Sequence, residues 1–499
     1  MTGLALDTAG VVSLIGEAAD RLLDRGRSGI ASSTVEIATC DPAEVAFASR
    51  RATDSWFCWE QPDRNFSLSA IGTAYSSVSR GPDRFSQVAD DTSHRSGTAS
   101  VVNGPGVGDD VGPVWTGGFA FSNRDASGST WSSFAPAEMT LPSLSIVNDG
   151  KRTLLTVNVM VNSNSRRDSL LASVRSRVES LVTREMPMLD PHPLDRPVIE
   201  SVLPPGEFES AVSAATSRIA AGEIEKVVLA REIVVKSGSA HDPAEIFGAL
   251  RLGFPTCFNF CVGTPQAAFV GASPELLVSR HGDVVRAQPM AGTVPRRGDP
   301  QDDARVVADL LASPTYRHEH QVTIDAVHDT LLAFSSYVDY EPEPSVVALA
   351  NVSHLATSVE GRLSHPAASV LELVTALHPT PAICGRPRQA ALDLIAELED
   401  LDRDRYAGAV GWVDAEGNGE WAVSIRCATI EGSTARIVAG NGIVGDSDPA
   451  TELIETRAKL QALLGAVVRP VDRPAVRIEV GDVEGPGRER LVELIEHVD

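Results

Sequence analysis

The stretch 439–459, with the sequence AGNGIVGDSDPATELIETRAK, constrains the fold of this chain more than any other. It begins with Gly440 and Gly442, which stand one residue apart, and glycine lets other atoms approach the backbone because it has no Cβ. The acidic segment 446–448 then precedes Pro449, the pattern of a helix N-cap followed by proline in the first turn. The stretch therefore predicts a glycine loop that leads directly into a helix.

Charged residues follow one stripe of that helix. Glu452, Glu455 and Lys459 lie at i, i+3 and i+7, and three leucines form a separate apolar stripe beside them. Carboxylates and an ammonium that project from a helix after a glycine loop could hold a hard cation and an anionic substrate. Taken alone, however, Glu455 and Lys459 read more simply as an i,i+4 surface pair worth roughly 0.3–0.5 kcal/mol.

Composition places the chain among ordinary globular proteins. Its 499 residues admit one large domain or two to three smaller ones, and 43% of them are hydrophobic and 22% charged. The formal net charge of -24 argues against a nucleic-acid or anionic-membrane partner. An anionic substrate would need local cations in its site.

Cysteines and apolar runs point to a cytoplasmic protein. The six cysteines are scattered without a CxxC pair, and Cys257 and Cys261 lie in an apolar run that predicts buried thiols. We find no apolar run long enough for a membrane span and no basic-then-apolar N-terminal leader. We therefore expect a cytoplasmic enzyme without a membrane partner.

The sequence pattern of the first half of the chain predicts mainly β-strands. Apolar spacing predicts a helix over 11–25, and strands are predicted over 66–78 and 114–123. The pattern in 140–161 is typical of a hairpin around an Asn-Asp-Gly turn. The segment 85–113 is polar and glycine-rich, which favours a loop.

Three charged residues of the second half have both an ordinary and a functional interpretation. Lys226 leads into the apolar strand KVVLAREIVV, where it is either a polar edge or, if it points inward, a base. Glu275 opens the apolar run LLV, where a glutamate is more often a surface residue than a catalytic acid. Arg426 is expected within the second strand of a hairpin over 406–430, and a buried charge there needs a partner. Arg426 is therefore the best candidate for binding an anionic ligand.

A histidine-flanked glutamate invites a zinc interpretation, which its spacing rejects. Glu319 stands between His318 and His320 on a helix predicted over 316–338. An HExxH site would need a histidine where Val322 stands, and histidines at i and i+2 point in different directions.

Taken together, these stretches resemble the chorismate-utilising enzymes: isochorismate, salicylate, anthranilate and aminodeoxychorismate synthases. The resemblance runs from about Trp56 to Leu464, is faint in the first half and becomes dense from Lys226 onward. The motifs that carry it are GGFAF, WSSFAPAEMTLP, KVVLAR, GASPE, PMAGT, RHEH, HPTPAICGRP, YAGAVG, SIR and AGNGIV followed by DP, E, ET and K.

The resemblance implies an α/β (α+β) fold, a two-layered sandwich of large antiparallel sheets with outer helices. It implies that Lys226 is the catalytic base that activates water and that Glu275 is the catalytic acid. Glu319 and Glu455 match magnesium ligands, with Glu452 close enough to contribute through water, so the expected cofactor is Mg²⁺. The positions expected to bind chorismate are Gly292, Thr293, His354, Ala382, Tyr406, Arg426, Gly440, Gly442 and Lys459.

Three positions favour the isochorismate synthase branch of this family. Lys226 stands where the amine-forming branches typically have glutamine, and Ala291 stands where aminodeoxychorismate synthases carry a nucleophilic lysine. Ala382 stands where salicylate synthases tend to carry threonine. A salicylate synthase and a catalytically silent paralogue remain alternatives, and both menaquinone and siderophore biosynthesis remain open as the product's destination. No glutaminase subunit is expected.

The resemblance also suggests how the chain is divided. We expect an N-terminal extension at 1–50, a single catalytic domain at 51–465 and a tail of unknown role at 466–499. Within the catalytic domain, 51–200 is a variable β-rich half and 201–465 carries the motifs. We expect a monomer. Asn441 departs from the small residues common at its position, which puts the local loop geometry in question.

Overall fold

The structure is a computed structural model that describes residues 2–108, 111–122, 133–189, 197–296, 298–349 and 352–468. The part of the tail after residue 468 lies outside the described residues.

Most helices begin at signals that the sequence shows. Asp41, Asp242, Asp299 and Asp448 each accept backbone N–H groups at a helix start and are each followed by proline. The helices are α1 (Thr8–Leu23), α2 (Pro42–Ser49), α3 (Arg84–Gly97), α4 (Arg167–Glu179), α5 (Pro205–Ala220), α6 (Pro243–Gly253), α7 (Pro300–Ala312), α8 (Pro314–Leu332), α9 (Val370–Leu377), α10 (Arg388–Leu398) and α11 (Pro449–Val467), with a 3₁₀ helix at Pro62–Arg64.

Strands make up much of the remaining described chain. They are β1 (Thr2–Gly3), β2 (Gly29–Ile37), β3 (Trp56–Gln61), β4 (Phe66–Ser79), β5 (Ser100–Val101), β6 (Trp115–Phe119), β7 (Ala137–Asn148), β8 (Thr153–Val161), β9 (Val182–Thr183), β10 (Val198–Ser201), β11 (Lys226–Lys236), β12 (Phe258–Gly263), β13 (Ala268–Ser273), β14 (Leu276–His281), β15 (Val284–Gln288), β16 (Met290–Pro295), β17 (Ser335–Tyr340), β18 (Ser345–Ala348), β19 (Val352–Ala356), β20 (Val359–Leu363), β21 (Gly385–Arg386), β22 (Ala409–Val413), β23 (Gly419–Val423), β24 (Cys427–Glu431) and β25 (Thr434–Ile443).

Twenty of these strands hydrogen-bond into one continuous, largely antiparallel network. Pairing runs β10-β11-β25-β24-β13-β12-β3-β4-β7-β6-β22-β23-β14-β15-β20-β17, with β8, β2 and β5 added beside β7 and β21 beside β11. A separate three-stranded sheet joins β16, β19 and β18. The prediction of large antiparallel sheets with helices is therefore confirmed.

Several strands, among them β11, β12 and β13, are buried on both faces. Successive side chains of a strand point to opposite faces, so Phe260 lies in an aromatic-rich core while Cys261 lies in a second core. Helices α1 and α6 pack against that second core. Burial of Cys257 and Cys261 confirms the prediction of buried thiols, and all six cysteines are free.

The segment assigned to an N-terminal extension contributes to the sheet. All nine residues of β2 pair with β8, from Gly29 opposite Val161 to Ile37 opposite Thr153. Side chains of α1 and α2 lie in the same core as the strands beside them. The domain boundaries at 50 and 465 stay predictions.

Local predictions in the first half are confirmed with one exception. The helix α1, the strands β4 and β6 and the β7–β8 hairpin lie where the patterns place them. The loop predicted over 85–113 is wrong, because residues 84–97 form α3. This helix is polar overall, but Phe85, Val88 and Thr92 recur at helical spacing and are buried.

Candidate active site

Two of the predicted site residues lie at adjacent corners where the chain passes from one strand pairing to another. Glu275 stands between β13 and β14, and Arg426 stands between β23 and β24. The two corners are bonded together: Val423 N–H donates to the carbonyl of Glu275 at 3.1 Å, and Ala272 N–H donates to that of Arg426 at 3.0 Å. The sheet thus fixes Glu275 and Arg426 relative to each other.

The prediction that Arg426 lies within a strand is wrong. The strand ends at Val423, the next begins at Cys427, and Arg426 between them has a left-handed backbone with φ of 51°. This conformation is uncommon for a residue other than glycine and costs free energy. The strained corner directs the guanidinium into a cavity.

The cavity beside these corners has a volume of about 360 Å³. It brings together every predicted metal-binding and substrate-binding residue, together with the predicted acid. Its walls include Glu275, Gly292, Thr293, Glu319, His354, Ala382, Tyr406, Arg426, Gly440, Gly442, Glu452, Glu455 and Lys459.

Lys226, the predicted base, lies directly behind the cavity wall at the first position of β11. Its ammonium is 2.8 Å from Oε1 of Glu319, and its side chain is only 3% exposed. A Cβ built on Gly442 would stand 2.5 Å from that Glu319 oxygen and 2.8 Å from Cε of Lys226. Glycine at 442 is therefore required for the lysine and the glutamate to meet at the cavity.

The loop with the sequence HPTPAICGRP holds the start of β11 in place. Gly385 pairs with Val227, and a Cβ on Gly385 would stand 2.2 Å from the carbonyl of Lys226. The buried Arg403 also joins this loop to β11, because it donates to Ile383 O at 3.0 Å and to Val228 O at 2.6 Å. The loop therefore positions Lys226 from one side and presents Ala382 to the cavity from the other.

Glu275 is in the environment of a protonated acid. Its side chain is buried, and burial raises the pKa of its carboxyl to about 8, against opposing effects of the Met290 N–H, Lys226 and Arg426. At neutral pH the carboxyl therefore carries a proton that it can donate into the cavity.

A hydrogen-bonded chain ties Arg426 to the sheet of β16 and β19. Nη2 of Arg426 lies 3.0 Å from Nε2 of His354, and Nδ1 of His354 lies 3.0 Å from Oγ1 of Thr293. Burial, followed by the charges of Arg426 and Lys459, holds the pKa of His354 well below its usual value. Since arginine can only donate, the neutral His354 accepts at Nε2 and carries its proton at Nδ1, where it donates to Thr293.

The first turns of α11 supply the other charged wall. The ammonium of Lys459 lies 2.6 Å from Glu455, 3.1 Å from the carbonyl of Gly440 and 2.8 Å from Oδ1 of Asn441. The same Asn441 donates its amide to Glu452. Lys459 is only 8% exposed, so the interpretation as a surface ion pair is wrong.

Negative charge is concentrated at this end of the cavity. Burial and the charge of Glu455 raise the pKa of Glu452 to about 7. Burial and four carboxylates, Glu455 first, raise the pKa of Tyr316 to about 12. The donor set therefore suits a hard divalent cation, although no three His, Cys, Asp or Glu side chains among the described residues already form a metal-binding group.

Two residues of the site escaped the sequence interpretation. Tyr316 lines the cavity and packs against Gly292, whose φ of 75° lets β16 bulge at that point. Its only sequence signal was its place one turn before Glu319 on α8. Asn441 stood out only as a departure from the expected pattern.

The rejection of a zinc site agrees with the structure. Nε2 of His320 lies 2.8 Å from the Thr357 hydroxyl, and burial lowers the pKa of His320 to about 4. Its ring is buried beneath α8 and does not line the cavity. Across the described segments, no helix is long and apolar enough to cross a membrane.

Comparison with known proteins places this fold and cavity in a family. The family model described as chorismate binding enzyme matches residues 17–468. The chain is 30% identical to the isochorismate synthase MenF of Bacillus subtilis (strain 168) over 439 residues, which cover 87% of this chain and 92% of that protein. It is 34% identical to the salicylate biosynthesis isochorismate synthase of Pseudomonas aeruginosa over 449 residues, 88% of this chain and 90% of that protein.

A solved structure supports the same fold. The menaquinone-specific isochorismate synthase MenF from Escherichia coli superposes with a TM-score of 0.74 at 24% identity and covers 91% of this chain and 99% of its own. The chain has the fold of this enzyme and a cavity of about 360 Å³ lined by charged side chains. It belongs to the chorismate-binding enzyme family.

Proposed function

We propose that this enzyme is an isochorismate synthase, which isomerises chorismate to isochorismate. The observation that carries the proposal is the pairing of a buried lysine, Lys226, with a buried and protonated glutamate, Glu275, around one cavity. The two relatives described above are both named isochorismate synthases, which supports the same activity.

Arg426 and Lys459 supply the local cations that an acidic protein needs for a dianionic substrate. Both line the cavity, and both are held by neutral hydrogen-bond acceptors: Arg426 by His354, and Lys459 by the carbonyl of Gly440. In the proposed complex they bind the carboxylates of chorismate, with Tyr406 and the backbone at Gly440 and Gly442 beside them.

The chemistry divides between two proton-transfer groups. Lys226 takes a proton from the water whose oxygen bonds to C2 of the ring, and the ring double bonds shift. Glu275 gives its proton to the C4 hydroxyl, which departs as water. One water enters and one leaves, so the reaction is an isomerisation. A base and an acid at two positions on one ring follow the logic of general acid–base catalysis.

The carboxylates of Glu319, Glu455 and Glu452 would hold the divalent cation that this family uses, and we propose that it is Mg²⁺. A cation held there would supply positive charge for the ring carboxylate. Lys226 must lose its ion pair with Glu319 to act as a base, and Glu319 would then be available as a ligand of the cation.

Ala382 and Ala291 support the isochorismate branch over its relatives. Both line the cavity as small apolar walls, and neither offers a hydroxyl or an amine to the substrate. The complete set of proposed groups lies within one chain, which supports activity without a glutaminase subunit. We also propose that the enzyme is monomeric and cytoplasmic.

The test is a chromatographic product assay on purified protein with chorismate, with and without Mg²⁺ and ammonium. We expect isochorismate to accumulate, reversibly, only with the metal, and ammonium to have no effect. Salicylate plus pyruvate, an aminated product, or no product would each contradict the proposal.

A further inference from the structure

Asn441 bridges two charged residues of α11, Glu452 and Lys459, from inside the sheet. It is 1% exposed and lies between Gly440 and Gly442 on β25. Since side chains alternate along a strand, the glycines face the cavity while Asn441 faces α11. Its Nδ2 donates to the carbonyl and to Oε2 of Glu452, at 2.7 and 2.9 Å, and its Oδ1 accepts from Lys459 at 2.8 Å.

The hydrogen bonds of Lys459 show what this bridge does. An ammonium has three N–H donors, and Lys459 meets three acceptors: the carboxylate of Glu455, the carbonyl of Gly440 and Oδ1 of Asn441. Two donors are engaged in hydrogen bonds to neutral acceptors, and the ion pair with Glu455 occupies the remaining side of the ammonium. The Gly440 carbonyl is fixed in the β11–β25 ladder, and Asn441 is fixed by its two bonds to Glu452. Glu455 lies on the cavity wall, so its place beside Lys459 is the one that a substrate carboxylate would take.

We propose that Asn441 is a positioning residue that holds Lys459 at the cavity so that a single N–H donor of the ammonium is available to a substrate carboxylate. The proposal rests on the proposed function of the same site. Asn441 acts through Lys459, and it does so by aiming the ammonium before the substrate arrives. Without the amide oxygen of Asn441, a second N–H donor of Lys459 would have no acceptor. The flexible four-carbon side chain of Lys459 would then lose its fixed direction.

A purely structural role for Asn441 makes a different prediction. Its bonds to Glu452 tie the first turn of α11 to β25, so their loss alone would lower thermal stability and leave chorismate affinity unchanged. Asn158 offers a matched control, because it is also 1% exposed and its amide donates to a backbone carbonyl, that of Pro142, away from the cavity.

The experiment compares Asn441→Ala, Asn441→Asp and Asn158→Ala in steady-state kinetics with chorismate and saturating Mg²⁺. We expect Asn441→Ala to raise KM about tenfold with kcat within about threefold of wild type, the effect of one lost hydrogen bond to a charged group. Asn441→Asp keeps an acceptor for Lys459 but exchanges the donor to Glu452 for a second carboxylate, so we expect it to raise KM as well and to lower the melting temperature. Asn158→Ala should lower only the melting temperature.

Two further measurements separate the positioning role of Asn441 from a purely structural one. In the Lys226→Gln background, where we expect turnover to be about a thousandfold slower, calorimetry with chorismate and Mg²⁺ should show binding about tenfold weaker after Asn441→Ala. In the Lys459→Ala background, Asn441→Ala should have no further effect on KM. An unchanged KM in Asn441→Ala, or an undiminished effect without Lys459, would overturn the proposal. A wild-type protein that does not convert chorismate would instead overturn the proposed function itself.

Discussion

Two buried lysines border the cavity, and their surroundings differ in a way that separates their roles. Lys226 and Lys459 are each paired with a carboxylate, at 2.8 and 2.6 Å. Lys459 also meets two neutral acceptors, whereas Nζ of Lys226 has no well-aligned hydrogen-bond acceptor within the described part of the chain. Removal of the paired carboxylate would leave Lys459 still anchored and Lys226 without a partner.

The difference shows how one kind of side chain can serve binding or proton transfer. A lysine held by neutral acceptors keeps its direction when a carboxylate leaves, which suits it to bind a substrate carboxylate. A buried lysine that depends on one carboxylate is left without a partner when that carboxylate turns away, which suits the proton-transfer role proposed for Lys226. The following predictions are ordered from the largest expected effect to the smallest.

Replacement of Lys226 should affect turnover more than any other change at the cavity. Lys226→Gln removes the base but keeps most of the side-chain volume, and we expect kcat to fall about a thousandfold, within the range for loss of general base catalysis. KM for chorismate should stay within about threefold. Steady-state kinetics measures both values, and a large rise in KM with normal kcat would mean that Lys226 binds substrate.

A methyl group at position 442 should disturb the Lys226 end without removing any charge. In Gly442→Ala the new Cβ would stand 2.5 Å from Glu319 and 2.8 Å from Lys226 Cε, so both side chains must shift. We expect kcat to fall about a hundredfold, since small misplacements of catalytic groups cost that much. Gly432→Ala is the control, because a Cβ there would meet no atom within 4 Å. Its φ of 57° adds backbone strain, so this variant shows the effect of a glycine-to-alanine change away from the cavity. Wild-type kcat in Gly442→Ala would contradict the placement of Lys226.

Replacement of Lys459 should act mainly on binding. We expect Lys459→Ala to raise KM about thirtyfold, because a charge-assisted hydrogen bond to a substrate carboxylate is lost, with a smaller effect on kcat. The same kinetic assay measures this change. A thousandfold loss of kcat at unchanged KM would mean that the two lysines have the opposite roles.

The pH dependence of activity should report Glu275. Its pKa is raised by burial from 4.5 to about 8, so the carboxyl stays protonated, and able to donate, up to that pH. Since the protonated form is the active acid, kcat/KM should fall as pH rises through about 8, by up to tenfold per pH unit above it. A pH profile measured with constant saturating Mg²⁺ tests this, and undiminished activity at pH 9.5 would exclude Glu275 as the acid.

The sequence predicted most of the site because its motifs mark each residue separately. It could not predict how they meet: Lys226 and Glu319 are far apart in the chain and form an ion pair only because β11 and α8 converge beside Gly442. The left-handed corner at Arg426 was also hidden, since apolar neighbours on both sides are typical of a strand. The missed helix α3 is different, because the spacing of Phe85, Val88 and Thr92 did carry its signal.

The most direct test of the division between the lysines is calorimetric binding of chorismate, with Mg²⁺, to Lys226→Gln and to the double variant Lys226→Gln/Lys459→Ala. Both variants should turn the substrate over at least about a thousandfold more slowly than wild type, so binding is measured with little conversion. We expect Lys226→Gln to bind chorismate with an affinity close to the wild-type KM and the double variant to bind about thirtyfold more weakly. Loss of binding in Lys226→Gln itself, or equal binding by both variants, would contradict the account.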